Sequence, residues 1–298
     1  MPDAGRPEAQ APESPIRDVS DTALWVAIYR ADESKRKDAL FHDPYADRLA
    51  GERGRQIVAS IPSGSAWGWP MVVRTKCFDD IILRHVREQG CDTVLNLAAG
   101  LDARPWRLDL PPATRWLDVD MPGMLDFKRE GLAGETPRCR YSALPADLRE
   151  PDVRRAVFAE AARGAKRVLV VSEGLLIYLE PAQVGALAED LAREPVFERW
   201  LIDLASPALI QMMSRRLKGP AGLGNAPFRF APSEGTKFFE AHGWREREYL
   251  STMHEAQRLK RTFPFAWFWM MLMPLMPAAR REMFKRFSGF VTLERITN

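Results

Sequence analysis

Only three cysteines occur among the 298 residues. Cys77, Cys91 and Cys139 stand far apart, with no C-x-x-C spacing and no adjacent histidine to complete a zinc site. That pattern speaks against a disulfide framework or a thiolate metal centre, and a reduced, cytoplasmic thiol set is the simple expectation. Phosphate-cradling glycine turns are missing too: neither G-x-G-x-x-G nor G-K-[ST] follows the first apolar run, which argues against a dinucleotide or a nucleoside triphosphate. Charge of one sign is also lacking. Lys+Arg number 43 against 40 Asp+Glu, for a net +3, and the signs are mixed along the chain, so nucleic acid is not the expected partner. The most apolar stretch, residues 263–277, is interrupted by prolines and falls short of the roughly 18 residues that suggest a membrane span. Stable membrane insertion is not expected. The opening stretch, rich in Pro, Ala and Glu, lacks the basic and apolar regions of a secretory signal. Residues 1–18 read as a disordered tail and 19–298 as a single domain.

What is present is a core-forming composition, 46% hydrophobic, with periodicity that switches between helix and strand. A helical layer is expected between about Asp21 and Gly90, with Asp21 as a cap. Within it, from an expected start at Arg74, positions Phe78, Ile81, Ile82, His85 and Val86 form one apolar stripe. Strand-like runs then fall at 93–97, 116–119, 167–171, 200–204 and 290–295, with helical stretches such as Pro151–Ala162 and Pro181–Ala192 between them. Such alternation implies an α/β fold of Rossmann-like type, a mostly parallel sheet covered by helices on both faces.

In open α/β sheets the ligand lies beyond the carboxyl ends of the strands. Here successive strand ends present an acid. The first run ends Leu97-Ala98-Ala99-Gly100-Leu101-Asp102, where small residues let backbone amides approach a ligand. The second ends Asp118-Val119-Asp120; the two acids share a face by alternation, so one of them is free to be structural, while a strand-end acid suits a ribose diol. Asp147 follows in Ala146-Asp147-Leu148, where it could accept from an exocyclic amine, and Glu173 ends the fourth run. Any one of these could merely cap the helix that follows. Together, and without a phosphate turn, they suit a nucleoside that carries no phosphates.

These residues resemble the leucine carboxyl methyltransferase family, in its bacterial branch related to polyketide O-methyltransferases. The resemblance rests on Arg30-Ala31-Asp32-Glu33-Ser34, Phe41-His42-Asp43-Pro44-Tyr45-Ala46, Arg74, Asn96 to Asp102 with Arg104-Pro105, Asp118 to Pro122, Asp147-Leu148, and Glu173-Gly174-Leu175-Leu176 with Tyr178-Leu179. It implies a class I, seven-stranded methyltransferase sheet with an N-terminal helical layer and a C-terminal cap region, using S-adenosyl-L-methionine. On that resemblance Arg74 would pair with the methionyl carboxylate, Ala98 and Gly100 would lie beneath the cofactor, Asp120 would hold the ribose, and Asp147 and Leu148 would meet the adenine. Glu173 would close the site, and a basic residue of the N-terminal layer, Arg36 or Lys35, would join it. Alanines at 98 and 99 depart from the G-x-G turn of many members of the wider class.

The expected activity is O-methylation of a carboxylate or hydroxyl of a small, hydrophobic, polyketide-like metabolite. The alternatives are methylation of a protein C-terminal carboxylate, or a non-catalytic module that binds the cofactor. Methyl transfer is an in-line displacement that needs no metal, and a carboxylate acceptor is already ionised near neutral pH. A hydroxyl acceptor would benefit from a base, for which His254 is a candidate. His42 reads as part of a helix-start turn. Residues 263–277, with Trp267 and Trp269, suit a pocket wall or a buried helix equally, with membrane-surface contact a distant third, and Trp67 and Trp69 pose the same choice of wall or core.

Overall fold

In the computed structural model of the chain, the described residues are 19–60, 68–216, 227–262, 271 and 276–297. Trp67, Trp267 and Trp269 and the tail of residues 1–18 lie outside them. The N-terminal layer is made of α1 (Val19–Ser34), α2 (Ala46–Ser60) and α3 (Trp69–Arg87). The sheet then begins with β1 (Thr93–Leu97), followed by α4 (Arg104–Arg107), β2 (Arg115–Asp120), α5 (Pro122–Gly131), β3 (Arg140–Pro145), α6 (Pro151–Ala162), β4 (Val168–Ser172) and α7 (Pro181–Ala192). β5 (Phe197–Ala205), α8 (Pro207–Arg216), β6 (Trp244–Ser251), α9 (Thr252–Arg258), α10 (Ala278–Lys285) and β7 (Ser288–Arg295) complete the order.

The seven strands lie in the order β3-β2-β1-β4-β5-β7-β6. All neighbours are parallel except β7, which runs antiparallel to both β5 and β6. The chain reverses its direction of winding between β1 and β4, which opens a crevice at the carboxyl ends of those strands. The five strand runs read from the sequence are all present. β3 and β6 escaped that reading because they are the two edges. An edge strand buries little, so β3 and β6 carry Arg, Ser and Glu in place of an apolar run, which also discourages pairing with a second sheet.

Alternation along the inner strands builds two cores. Leu95, Leu97, Leu117, Val170, Trp200 and Ile202 pack on one face with Val157, Phe158, Leu187 and Leu191 of α6 and α7. Val94, Trp116, Leu169, Val171 and Leu201 face Val73, Phe78, Ile81 and Ile82 of α3. α3 starts five residues before the expected start at Arg74, with Pro70 in its first turn. Arg74 therefore sits in the second turn, and the dipole at a helix start does not explain its partners. Asp21 does not cap α1, which starts at Val19; it lies in the first turn and pairs with Arg53 at 2.9 Å. The Asp43-Pro44 turn does start a helix: Asp43 Oδ1 accepts from the backbone N–H of Tyr45 and Ala46, at 3.2 and 3.1 Å. His42 is exposed beside it.

Of the two acids ending β2, Asp118 is the structural one. It is fully buried and accepts from Asn96 Nδ2 at 2.9 Å, Trp116 Nε1 at 2.8 Å and Lys128 Nζ at 2.6 Å. Lys128 is itself buried, beneath the rings of Trp106 and Tyr141. Removing one member of such a pair strands the other's charge, a cost of about 3–5 kcal/mol. Lys128→Met should lower the unfolding free energy by an amount of that order, whereas the double change Lys128→Met, Asp118→Asn should recover part of it. Equal stability of the single and double variants in urea titrations would show that the pair is not coupled.

Candidate functional site

A cleft of about 2540 Å3 opens over the carboxyl ends of the strands. It exceeds twice the ~300–1,000 Å3 of a typical small-molecule pocket, so it has room for two ligands side by side. Seven of the eight candidate residues line it: Arg74, Ala98, Gly100, Asp120, Asp147, Leu148 and Glu173. Arg36 does not. Its guanidinium pairs with Asp38 at 3.0 Å and lies 3.6 Å from Glu33, in a cluster completed by Arg261. Lys35, its alternative, faces Asp47 at 3.5 Å and is also away from the cleft lining.

The turn after β1 shapes the floor. Ala98 and Gly100 both adopt the left-handed conformation, with φ of 51° and 48°. For Ala98 this is strained by about 1 kcal/mol, where glycine would be relaxed. The turn directs the Gly100 N–H onto Asp120 Oδ2 at 2.7 Å, and the Met121 N–H donates to Asp120 Oδ1 at 2.7 Å. Burial raises the pKa of Asp120, with the two amides pulling the other way. Both carboxylate oxygens are thus oriented by backbone, and each keeps lone-pair capacity for a ligand. Asp147 is more exposed and is held by Arg149, whose side chain lowers its pKa.

Glu173 and Arg74 meet at the opposite side. Glu173 Oε1 lies 2.9 Å from Arg74 Nε and Oε2 lies 2.8 Å from Arg104 Nη1. Arg74 Nη1 donates to Asp203 Oδ2 at 2.8 Å, and the Gly174 N–H donates to Asp203 Oδ1 at 2.7 Å. Gly174 has φ of 69°, and a β-carbon there would stand 3.2 Å from Arg74 Nη1, so a side chain would press on the guanidinium. Burial works against the charge of Arg74, but Asp203 and Glu173 outweigh it and raise its pKa. Arg74 lines the cleft, where a guanidinium with five N–H donors suits an anion.

These contacts belong to a larger alternating network. Arg30 binds Asp43 at 2.9 Å, Arg107 joins Asp43 to Asp79 at 3.7 and 2.6 Å, and Arg104 joins Asp79, Asp102 and Glu173 at 2.7, 2.7 and 2.8 Å. With Arg74 and Asp203 it comprises four arginines and five carboxylates, one negative charge in excess. Asp102, Arg104 and Asp203 were not among the candidates. Asp203 was findable, because the rule that strand ends present acids extends to the fifth run; Arg104 was only part of a quoted motif.

Much of the remaining lining is apolar. Leu209, Met212, Met213, Phe228, Phe230, Met253, Phe284 and Phe287 form a wall with Trp69, and His254 also faces the cleft. No cluster of potential metal ligands occurs among the described residues, and no helix among them is long and apolar enough to cross a membrane.

The sequence profile of the family described as leucine carboxyl methyltransferase matches residues 23–192. A protein of Parafrankia sp. (strain EAN1pec), provisionally named an S-adenosyl-L-methionine-dependent methyltransferase, is 35% identical over 259 residues, which cover 83% of this chain and 83% of its own. A Streptomyces coelicolor protein with the same provisional name is 33% identical over 237 residues, covering 75% of this chain and 82% of its own. Among solved structures, a DUF574 family protein from Streptomyces avermitilis superposes with a TM-score of 0.56 at 14% identity, covering 92% of this chain and 97% of that one. A protein from Thermobifida fusca YX, provisionally described as a methyltransferase, gives 0.53 at 16% identity, covering 95% and 96%. At such identities the two structures speak to the fold alone.

The network carries its own pH signature. Burial pushes the Asp102 pKa up, but Arg104, with Lys128 and Arg107, outweighs it and holds the carboxyl far below the ordinary range. Its stabilising contribution is therefore complete above the unfolded value of about 3.9 and is lost as pH falls from there toward the folded value. Asp102→Asn should cost about 3 kcal/mol at pH 7, as expected for a broken buried pair, and the deficit should shrink between pH 4 and pH 3. Urea titrations of both proteins across that range check it; a deficit independent of pH would exclude the ion pair as its cause.

Proposed function

Because this chain belongs to the leucine carboxyl methyltransferase family and is an S-adenosylmethionine-dependent methyltransferase, we propose that it methylates an oxygen, foremost a carboxylate, of a small apolar metabolite. The observation that carries this reading is the division of one cleft into a strand-end half rich in carboxylates and a half walled by methionine and aromatic side chains.

The strand-end half fits the donor by the chemistry of its side chains. Asp120, oriented by the Gly100 and Met121 amides, suits a ribose diol. Asp147 and Leu148 flank the place for an adenine edge, and Ala98 and Gly100 expose backbone at the floor. Arg74, steered by Glu173 and Asp203, would hold the methionyl carboxylate. The network's excess negative charge favours a ligand that bears an ammonium and a sulfonium. S-Adenosylmethionine supplies, when bound, a methyl group on a positively charged sulfur that a nucleophile displaces in line.

What the chain contributes to the reaction is alignment and exclusion of water. The apolar wall strips water from the acceptor, which strengthens an anionic nucleophile relative to its hydrated form. A carboxylate acceptor reaches the cleft ionised near neutral pH and needs no base. For a hydroxyl acceptor, His254 is a candidate on the apolar side to take the proton.

Calorimetric titration with S-adenosylhomocysteine tests the donor half. The wild-type chain should bind it, Arg74→Ala and Asp120→Ala should each weaken binding by tenfold or more, on the order of a lost charge-assisted hydrogen bond, and Arg36→Ala should change it little. No binding by the wild-type protein, with its fold confirmed by circular dichroism, would overturn the reading.

A further inference from the structure

The outer half of the cleft is not uniformly apolar, and its polar groups are arranged with some care. β6 carries a bulge between Glu246 and Glu248, where its register against β7 shifts. In an unbroken strand Glu246 and Tyr249 would point to opposite faces; the extra residue resets the alternation, and both line the cleft. The Tyr249 ring then lies across Gly289 of β7. A β-carbon at Gly289 would come within 2.3 Å of the ring and 2.6 Å of its hydroxyl oxygen, so the ring occupies the space that any other residue's side chain would need. Gly289 is paired with Leu204, next to Asp203, which places the phenol beside the strand end that holds Arg74.

From its other side the ring is covered by Arg286, whose guanidinium carbon is 4.4 Å from the ring centroid. Arg286 is in turn gripped by Glu246, at 2.5 and 2.9 Å, and Glu246 also accepts from Thr236 at 2.5 Å. Tyr249 is thus fixed in position by Gly289 and Arg286, with its ring lining the cleft. Next to it, α10 presents Arg281, Glu282, Phe284 and Lys285 to the cleft. No carboxylate of the described residues lies within 4.0 Å of Arg281, and Lys285 has only Glu282 at 3.8 Å. A fixed phenol, a guanidinium with no ion-pair partner among the described residues, and an ammonium therefore border a wall of Met212, Met213, Phe228 and Phe284.

We infer that the acceptor is an amphipathic organic anion, and that Tyr249, braced between Gly289 and Arg286, orients its charged end while Arg281 selects for that charge. The inference rests on the methyltransferase reading of the cleft and adds to it the side chains that recognise the acceptor's charge. Glu246 and Gly289 are positioning residues, acting through Tyr249. A neutral apolar compound of the same size would fill the wall and leave the phenol and the guanidinium unanswered.

Two fluorescent probes that differ in one anionic group separate these elements: 1-anilinonaphthalene-8-sulfonate and the uncharged N-phenyl-1-naphthylamine. Tyr249→Phe, which keeps the ring and the packing, and Arg281→Gln should each raise the Kd of the sulfonate by roughly three- to tenfold, the scale of one charge-assisted hydrogen bond, and leave that of the neutral dye unchanged. Raising the salt concentration should weaken the sulfonate alone. Gly289→Ala, which displaces the ring, should reproduce the Tyr249→Phe pattern. Equal effects on both dyes, or none on either, would overturn the inference. S-Adenosylhomocysteine binding, measured on the same samples, answers separately for the methyl-donor reading: its loss in the wild type would remove that reading without altering the dye comparison.

Discussion

Arg104 is the centre of the interaction on which the remainder of the site depends. Three carboxylates, Asp79 of α3, Asp102 of the β1 turn and Glu173 beyond β4, converge on one guanidinium. Through Arg107, Asp43 and Arg30 the same chain of charges reaches α2 and α1. The N-terminal helices, which precede the sheet in sequence, are thereby fastened to the ends of strands that the chain forms later. A buried charge is tolerable only when paired and hydrogen-bonded, so each member holds the others in place. The constraint serves position more than stability, because an apolar cluster could replace such a network at little cost in free energy. What an apolar cluster could not supply is a guanidinium, Arg74, turned toward the cleft by two carboxylates.

The division of the cleft follows from how the sheet is covered. On the strand-end side, loops after parallel strands bring backbone amides and acids together, and the left-handed turn at Ala98 and Gly100 aims one amide at Asp120. On the other side, the antiparallel pair β6 and β7 and the helices α8, α9 and α10 contribute long, adaptable side chains. Methionine and phenylalanine accommodate varied apolar shapes, whereas the oriented carboxylates demand particular donors. One cleft thus joins a polar half of fixed geometry to an apolar half that adapts its shape, and Tyr249 lines it.

How much of this could be read from residues alone varies with burial. β1 and β4, buried throughout, announced themselves as apolar runs, and α6 and α7 matched their expected bounds because Pro151 and Pro181 mark their first turns. β3 and β6 stayed hidden because edge strands share neither the burial nor the composition of the strands inside. Seven of eight candidate positions converged on one cleft because the strand-end rule is topological: wherever parallel strands end, their next residues meet. Arg36 failed to join them because its position on the helical layer depends on how that layer docks, which no local pattern encodes. The start of α3 was misplaced for a related reason: periodicity located the helix but not its first turn.

By itself, the sequence determined the alternation of elements, the class of sheet, the strand ends that carry acids and the family to which the chain belongs, since all of these are written in local periodicity and short motifs. Only the tertiary structure decided which acid of a pair is structural, Asp118 with Lys128, and which lines the cleft, Asp120. It also decided that Arg74 shares its charge with Asp203, 129 residues away, and that a bulge in β6 turns Tyr249 into the cleft. Long-range pairing of charges and the packing of a ring on a glycine depend on distances between segments far apart in the chain, and those distances exist only once the chain has folded.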